Sequence, residues 1–319
     1  MSTTARADNH GFALTAQQDA GAPLVLRLMG GLGNQLFQYA TGRALAQHLG
    51  APLLLDARYV RRRAAHSGLA LTAFQIQARV ANAHELRPYP EWAWRLTRAL
   101  RWRWRPLGGM FHERGVSYDR AIWQLRAGSL LSGFWQSERY FTHLAEVLRS
   151  ELVLTTPWPP EAQALYESIT AADLGDAVAL HVRRGDYASA PDALRRHGLC
   201  SPSYYNRAIE WVRQRQPGAR FHVFSDDVAW AAQHLALPPG TVWVSRPALK
   251  PQHDLLLMAA CKHHIISNST FGWWGAWLNP GTERIVIAPT PWFDEPGLDG
   301  PDRWPVAWQL LHKTSGEPA

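Results

Sequence analysis

The spacing of apolar positions changes twice in the first fifty residues. Leu24-Val25-Leu26-Arg27-Leu28-Met29 is an apolar run of strand length. After Gly30-Gly31-Leu32-Gly33, apolar residues recur at helical spacing (Leu36, Phe37, Ala40, Ala44, Leu45), which predicts a helix over 34–49 that stops at Gly50. Leu53-Leu54-Leu55-Asp56 then reads as a second strand. Strand, glycine turn, helix and strand in this order form a unit of a parallel sheet. Over 57–155 the pattern is less regular. Helix-like stretches dominate there, and the segment from Glu91 to Arg105 is dense in Arg and Trp. The second half returns to a clear alternation. Strands are predicted at 177–182, 220–224, 242–244, 263–266 and 284–288, with helices at 203–216, 228–235, 252–261 and 271–278. This alternation is that of a doubly wound α/β unit. Val306 to Leu311 is a final apolar stretch.

Between the two halves, Thr155-Thr156-Pro157-Trp158-Pro159-Pro160 breaks regular structure. The expected organisation is a mobile polar tail over 1–20, a Rossmann-like unit over 21–157 and a second over 158–319, facing each other across a cleft. With 319 residues and 46% apolar content, the chain can build both cores without disulfide or metal staples. Two cysteines, Cys200 and Cys261, make no disulfide framework and fit a reducing compartment. No secretory signal or apolar span is visible in this sequence, so a cytoplasmic location is expected. The formal charge of +7 suggests an anionic partner: phosphate, nucleic acid or lipid surface.

In open α/β sheets, ligands sit beyond the carboxyl ends of the strands. The second half puts three informative segments there. Arg183 and Arg184 follow the first strand, Asp226 and Asp227 the second, and Ser267-Asn268-Ser269-Thr270 leads from the fourth into a helix. An arginine fork and a hydroxyl-rich helix start both suit a phosphate. A carboxylate suits the paired N–H donors on the edge of guanine. Together these residues describe a nucleoside diphosphate site. Each also has a plainer explanation: a surface ion pair for the arginines, and helix capping for the Asp and Ser/Thr groups. The Gly31 and Gly33 turn could admit a phosphate or simply allow tight packing. It matches neither a Walker loop nor the dinucleotide spacing.

Three segments carry a family resemblance. They are Gly30-Gly31-Leu32-Gly33-Asn34-Gln35-Leu36-Phe37-Gln38-Tyr39-Ala40, His181-Val182-Arg183-Arg184-Gly185-Asp186-Tyr187, and Ser267-Asn268-Ser269-Thr270-Phe271-Gly272-Trp273-Trp274-Gly275-Ala276-Trp277-Leu278. In order and spacing they resemble glycosyltransferase family 11, the α-1,2-fucosyltransferases, of bacterial type. The resemblance implies a GT-B fold and GDP-β-L-fucose held mainly by the second unit. It also implies inversion at the anomeric carbon, an acceptor oligosaccharide ending in β-galactose, and no metal. The absence of any Asp-x-Asp agrees with the last point. By resemblance, Asn34 approaches the β-phosphate or fucose across the cleft, and His181 joins Asp226 and Asp227 on guanine. Phe271 falls in the donor-binding motif. Arg183 is expected to stabilise the leaving diphosphate. Asp186 is either the general base or a partner that orients the arginines.

The rival readings are a fucosyltransferase of another linkage (α-1,6 or O-fucosyl), a sugar-nucleotide binder without turnover, and a basic nucleic-acid-binding protein. The ordered strand-end groups argue against nucleic acid. Arg95, Arg98, Arg101 and Arg105 share one face of a helix. They suggest peripheral contact with the inner face of a membrane.

Overall fold

The structure, a computed structural model, describes residues 21–62, 68–99 and 109–319. The predicted tail over 1–20 lies outside them, as do Arg101 and Arg105 and the side chain of Arg98.

Two all-parallel sheets make up the frame. The first holds β1 (Leu24–Arg27), β2 (Leu53–Asp56), β3 (Arg79–Val80), β4 (Met110–His112) and β5 (Leu130–Ser132), in the order β3-β2-β1-β5-β4. The second holds β6 (Ala177–Val182), β7 (Arg220–Ser225), β8 (Val242–Trp243), β9 (His263–Ile265), β10 (Val286–Thr290) and β11 (Gln309–His312), in the order β11-β10-β9-β6-β7-β8. Every residue of β1, β2 and β6 is buried. This is why these strands read as unbroken apolar runs: helices cover a parallel sheet on both faces. In the second sheet the strand order reverses between β6 and β9. The loops after those two strands therefore flank the position where such sheets take ligands.

The helices are α1 (Leu32–Leu49), α2 (Arg58–Arg62), α3 (Glu91–Ala99), α4 (Ala145–Glu151), α5 (Pro160–Thr170), α6 (Gly185–Ser189), α7 (Pro191–His197), α8 (Pro202–Arg215), α9 (Val228–His234), α10 (Pro251–Ala260) and α11 (Thr270–Leu278). α1 ends where expected, at Gly50, whose φ of 59° is the left-handed cap that glycine adopts freely. The helical reading of 57–155 needs correction, because that region also supplies β3, β4 and β5. Each has only two or three residues, too few to display a period of two. The second sheet likewise has a sixth strand, β11, formed from the last apolar stretch.

One core crosses the middle of the chain. α11 follows β9 of the second sheet, yet its tryptophans pack against the first half. The Trp273 ring centre lies 4.4 Å from that of Phe37, and Trp274 stacks on Phe141 at 5.4 Å. Trp277 meets Phe141 edge-on and donates from Nε1 to Glu138. α3 divides its own tryptophans. Trp94 turns inward and donates to Ser132 Oγ at 2.8 Å, under the Arg27 guanidinium, whereas Trp92 is 69% exposed. Among the described residues, no helix is long and apolar enough to cross a membrane.

The strands of the second sheet also bury imidazoles. Burial holds His181 and His264 down at about 3, and His222 at about 4, against an ordinary 6.5. These groups are neutral in the folded chain. Their full stabilising contribution is present above pH about 6.5 and drains away as pH falls towards 4, because only the unfolded chain takes up the protons. Glu113 works the other way: burial raises it to about 7, so its contribution is lost as pH rises. Three imidazoles outweigh one carboxyl. The melting temperature is therefore expected to fall by on the order of 10 °C between pH 6.5 and 4.5. His264→Asn should cut the proton uptake on unfolding by about one, read from the slope of unfolding free energy against pH. An unchanged slope would mean that His264 protonates within the folded chain.

Candidate functional site

The segment after β6 leaves the sheet with its side chains alternating, so adjacent residues face opposite ways. His181 and Arg183 turn into a cavity of about 870 Å³ at the strand ends. Arg184 turns away from it. Its Nε lies 3.2 Å from Asp227 and its guanidinium 4.0 Å over the Trp230 ring. Asp227 is the N-cap of α9, accepting from Trp230 N at 3.1 Å. The expected arginine fork is thus divided: Arg183 lines the cavity, while Arg184 and Asp227 brace the rear of the strand end.

Arg183 is already paired. It bonds to Asp186 on α6, and its Nη1 reaches Asp226 Oδ2 at 2.8 Å. The other Asp226 oxygen accepts from the Arg184 backbone at 2.8 Å. Gly185 permits this packing, since a Cβ there would come within 2.5 Å of Asp226. Asp186, expected either as the general base or as a partner that orients the arginines, is paired with Arg183 and also lines the cavity. The His181 ring is clamped from behind by the Ser267 hydroxyl, 2.8 Å from Nδ1, and by Gly272, where a Cβ would lie 2.5 Å from the same nitrogen. Burial and the nearby Arg183 charge keep His181 neutral, so it can hydrogen-bond to a ligand but adds no charge.

Two helix N-termini meet at the cavity. Gly31 caps α1, and Ser269 caps α11 with its hydroxyl 3.3 Å from Phe271 N. At Gly33 the helices touch backbone to backbone: a Cβ would lie 2.5 Å from the Thr270 carbonyl carbon and 2.6 Å from Phe271 N. Neither first turn contains an acidic residue. Each helix end carries roughly half a positive charge. Two of them side by side, without a carboxylate in either first turn, have the electrostatics that suit an anion. Gly31, Gly33, Asn34, Ser269, Thr270 and Phe271 all line the cavity. Ser267 and Asn268 are buried behind it. Asn268 Nδ2 donates to the carbonyls of His197 (2.8 Å) and Trp292 (3.0 Å) and so holds two loops in place.

The far end of the cavity contains groups that the strand-end reading missed. Asp254 on α10 lines it, with Oδ2 accepting from Ser245 Oγ at 2.7 Å and a buried Oδ1 that has no partner among the described residues. Burial raises its pKa, with Ser245 and Arg246 opposing. Asp254 lies inside a helix and not at a strand end, which is why the sequence pattern passed over it. On the opposite wall, Asn34 Oδ1 accepts from Gln136 Nε2 at 2.8 Å, and Gln136 Oε1 accepts from Arg303. Gln136 follows β5, so recognising that strand would have exposed it. Arg303 sits in the irregular tail and had no such signal. Two further glutamines of the glycine-turn motif are structural. Gln35 donates to the Gly30 and Gly68 carbonyls, and Gln38 bonds both ways with the Met29 backbone. Among the described residues, no three His, Cys, Asp or Glu side chains gather in a way that could hold a metal ion.

Residues 14–311 match the model of Glycosyl transferase family 11. The chain is 35% identical over 300 residues to an α-1,2-colitosyltransferase of Escherichia coli, an alignment spanning 91% of this chain and 99% of that one. It is 30% identical over 265 residues to galactoside α-(1,2)-fucosyltransferase 1 of Lagothrix lagotricha, covering 81% of this chain and 66% of that one. Among solved structures, the fucosyltransferase NodZ from Bradyrhizobium is similar over 82% of this chain and 94% of that one, with a TM-score of 0.48 and 15% identity. The matched span takes in the first sheet, the second sheet as far as residue 311, the two adjoining helix starts and the cavity they line, and the chain belongs to glycosyl transferase family 11.

Proposed function

We propose that the chain is an inverting glycosyltransferase that moves L-fucose from GDP-β-L-fucose to O2 of a terminal β-galactoside without a metal. On this reading the two sheets are the Rossmann-like halves of a GT-B enzyme, divided near 157/158. The observation that carries it is the convergence of two helix N-termini with Arg183 on one cavity, in a chain of this family. The diphosphate sits over Gly31, Gly33, Ser269 and Thr270, where backbone N–H groups meet it. Arg183 bonds the oxygen that gains charge as the anomeric carbon–oxygen bond breaks, a contact that counts because it strengthens in the transition state. The acceptor hydroxyl attacks from the opposite face, its proton leaving to water as the new carbon–oxygen bond forms. His181 and Phe271 border the nucleotide. The unpartnered oxygen of Asp254 supports it, in preference to Asp226 or Asp227, as the carboxylate that reads the guanine edge. Ser267, Asn268, Arg184 and Asp227 support this site from behind.

A second reading, transfer of colitose, is favoured by the Escherichia coli relative. Supplying GDP-fucose and GDP-colitose in parallel with lactose separates the two donors by the rate of GDP release. Peripheral membrane contact through Arg95, Arg98, Arg101 and Arg105 draws support from Trp92, which is exposed on α3 together with Arg95. Wild type should float with anionic liposomes, and a variant with those four arginines changed to Gln should not.

GDP release should require a galactoside and persist in EDTA; loss of activity in EDTA would overturn the metal-free reading. Arg183→Ala should raise the barrier by about 3–4 kcal/mol. Arg183→Lys keeps the charge but loses the planar fork, and should also be impaired. Arg184→Ala should cost far less in kcat and more in stability. Equal losses of kcat at the two arginines would contradict the division of roles. Asp254→Ala should weaken GDP binding by about 10- to 100-fold in calorimetry while leaving the weak affinity for inorganic pyrophosphate unchanged. A fall in both affinities would remove Asp254 from guanine recognition.

A further inference from the structure

Asn34 stands in the first turn of α1 with its carboxamide at the cavity wall. A carboxamide has two similar ends with opposite chemistry: an oxygen that accepts and an NH₂ that donates. Which end meets a ligand depends on what holds the other. Here a chain of three residues from three parts of the sequence decides. Arg303, after β10, bonds to Gln136 Oε1. Gln136, after β5, donates from Nε2 to Asn34 Oδ1 at 2.8 Å. A guanidinium has only donors. Gln136 must therefore give Arg303 its oxygen, which leaves its NH₂ for Asn34. Asn34 must accept with Oδ1, which leaves Nδ2 beside Gly30. A Cβ on Gly30 would lie 2.5 Å from that nitrogen, and the residue has a φ of 73°.

We propose that Arg303 and Gln136 are positioning residues that fix the polarity of Asn34, so that its NH₂ faces the diphosphate or sugar oxygens of the bound donor. The inference rests on reading the cavity as a sugar-nucleotide site.

The relay is built to stay rigid. Arg303 is 3% exposed and lies between the Phe293 ring at 5.0 Å and the Trp292 ring at 5.6 Å, with Nη2 donating to the Leu298 carbonyl at 3.2 Å. Burial lowers its pKa only to about 10, so it remains a cation at neutral pH. Gln136 leaves a strained turn. Trp135 has φ 56°, a left-handed conformation uncommon for a bulky residue. The Glu113 carboxylate holds that turn by accepting from Phe134 N at 2.7 Å and Trp135 N at 2.9 Å. Strain of this kind persists only where its surroundings enforce it.

Gln136→Glu tests the direction of the relay. The carboxylate still pairs with Arg303 but cannot donate, so Asn34 must turn its NH₂ towards residue 136 and its oxygen towards the donor. The melting temperature should stay close to wild type. GDP-fucose affinity by calorimetry, and kcat/KM for the donor, should fall about 10- to 100-fold, with the acceptor KM unchanged. Gln136→Met, which leaves Asn34 free to choose, should lose less than Gln136→Glu. Arg303→Lys retains an obligate donor and should keep more activity than Arg303→Met. A merely structural Gln136 predicts the reverse order, since a new buried ion pair with Arg303 would then be harmless. Wild-type donor affinity in Gln136→Glu overturns the relay. If the wild type itself binds no GDP-sugar, the reading of the cavity falls, and the relay falls with it.

Discussion

Two helix starts pressed together are electrostatically unfavourable, and this chain presses them into backbone contact. At Gly33 the first turn of α1 lies against the Thr270–Phe271 peptide of α11 so closely that no side chain fits between them. Two half-charges a few ångströms apart repel by roughly 1 kcal/mol at an effective dielectric near 20. The opposing term is larger. Behind the contact, Phe37 of α1 packs against Trp273 and Trp274 of α11, and removing one such buried aromatic typically costs about 3–5 kcal/mol. The aromatic core therefore holds the two positive ends together. A bound anion then relieves a repulsion that the fold already sustains.

That arrangement explains an otherwise odd feature of the sequence. Trp273-Trp274-Gly275-Ala276-Trp277 is apolar all round, with no polar face for solvent. It needs none, because α11 is packed from both halves: Gly272 and Gly275 lie against His181 and Met258 of the second, and the tryptophans against Phe37 and Phe141 of the first. Its N-terminus is the only part presented to the cavity. At Gly33 this helix meets α1, so the two frames touch at the wall of the cavity.

α1, β2, β6 and the helices α8 to α11 were legible from period alone and fall within a residue or two of their expected limits, whereas the short α6 and α7 were not anticipated. The strands of 57–155 were not, because two or three residues cannot display alternation and their pairing is entirely non-local. The same limit governed the site. The strand-end rule located Arg183, Asp226 and the start of α11 but could not distinguish neighbours. Arg183 and Arg184, or Asp226 and Asp227, are equivalent to a one-dimensional reading. Only the pleat of β6 and the cap of α9 assign one member of each pair to the cavity and the other to its support. Asp254, Gln136 and Arg303 carry no local signature at all. Their importance lies in partners more than 9 positions distant, or in the lack of one.

Charge alone does not make the cavity an anion site. Arg183 brings one positive charge, but Asp186 and Asp226 already sit on it, leaving that cluster at about −1 before any ligand arrives. Two helix ends add back about +1. The sum is near zero, so long-range attraction is not what would hold the proposed diphosphate. Directed donors remain: the free N–H groups of two first turns and the Arg183 guanidinium. To these the proposed relay would add the Asn34 carboxamide. Such donors are fixed in place by the core and cost little reorganisation, which is the condition under which they stabilise developing charge most effectively. In the proposed reaction, a near-neutral site with aligned donors would also favour release, since a spent nucleotide would be held by geometry and not by a deep electrostatic well.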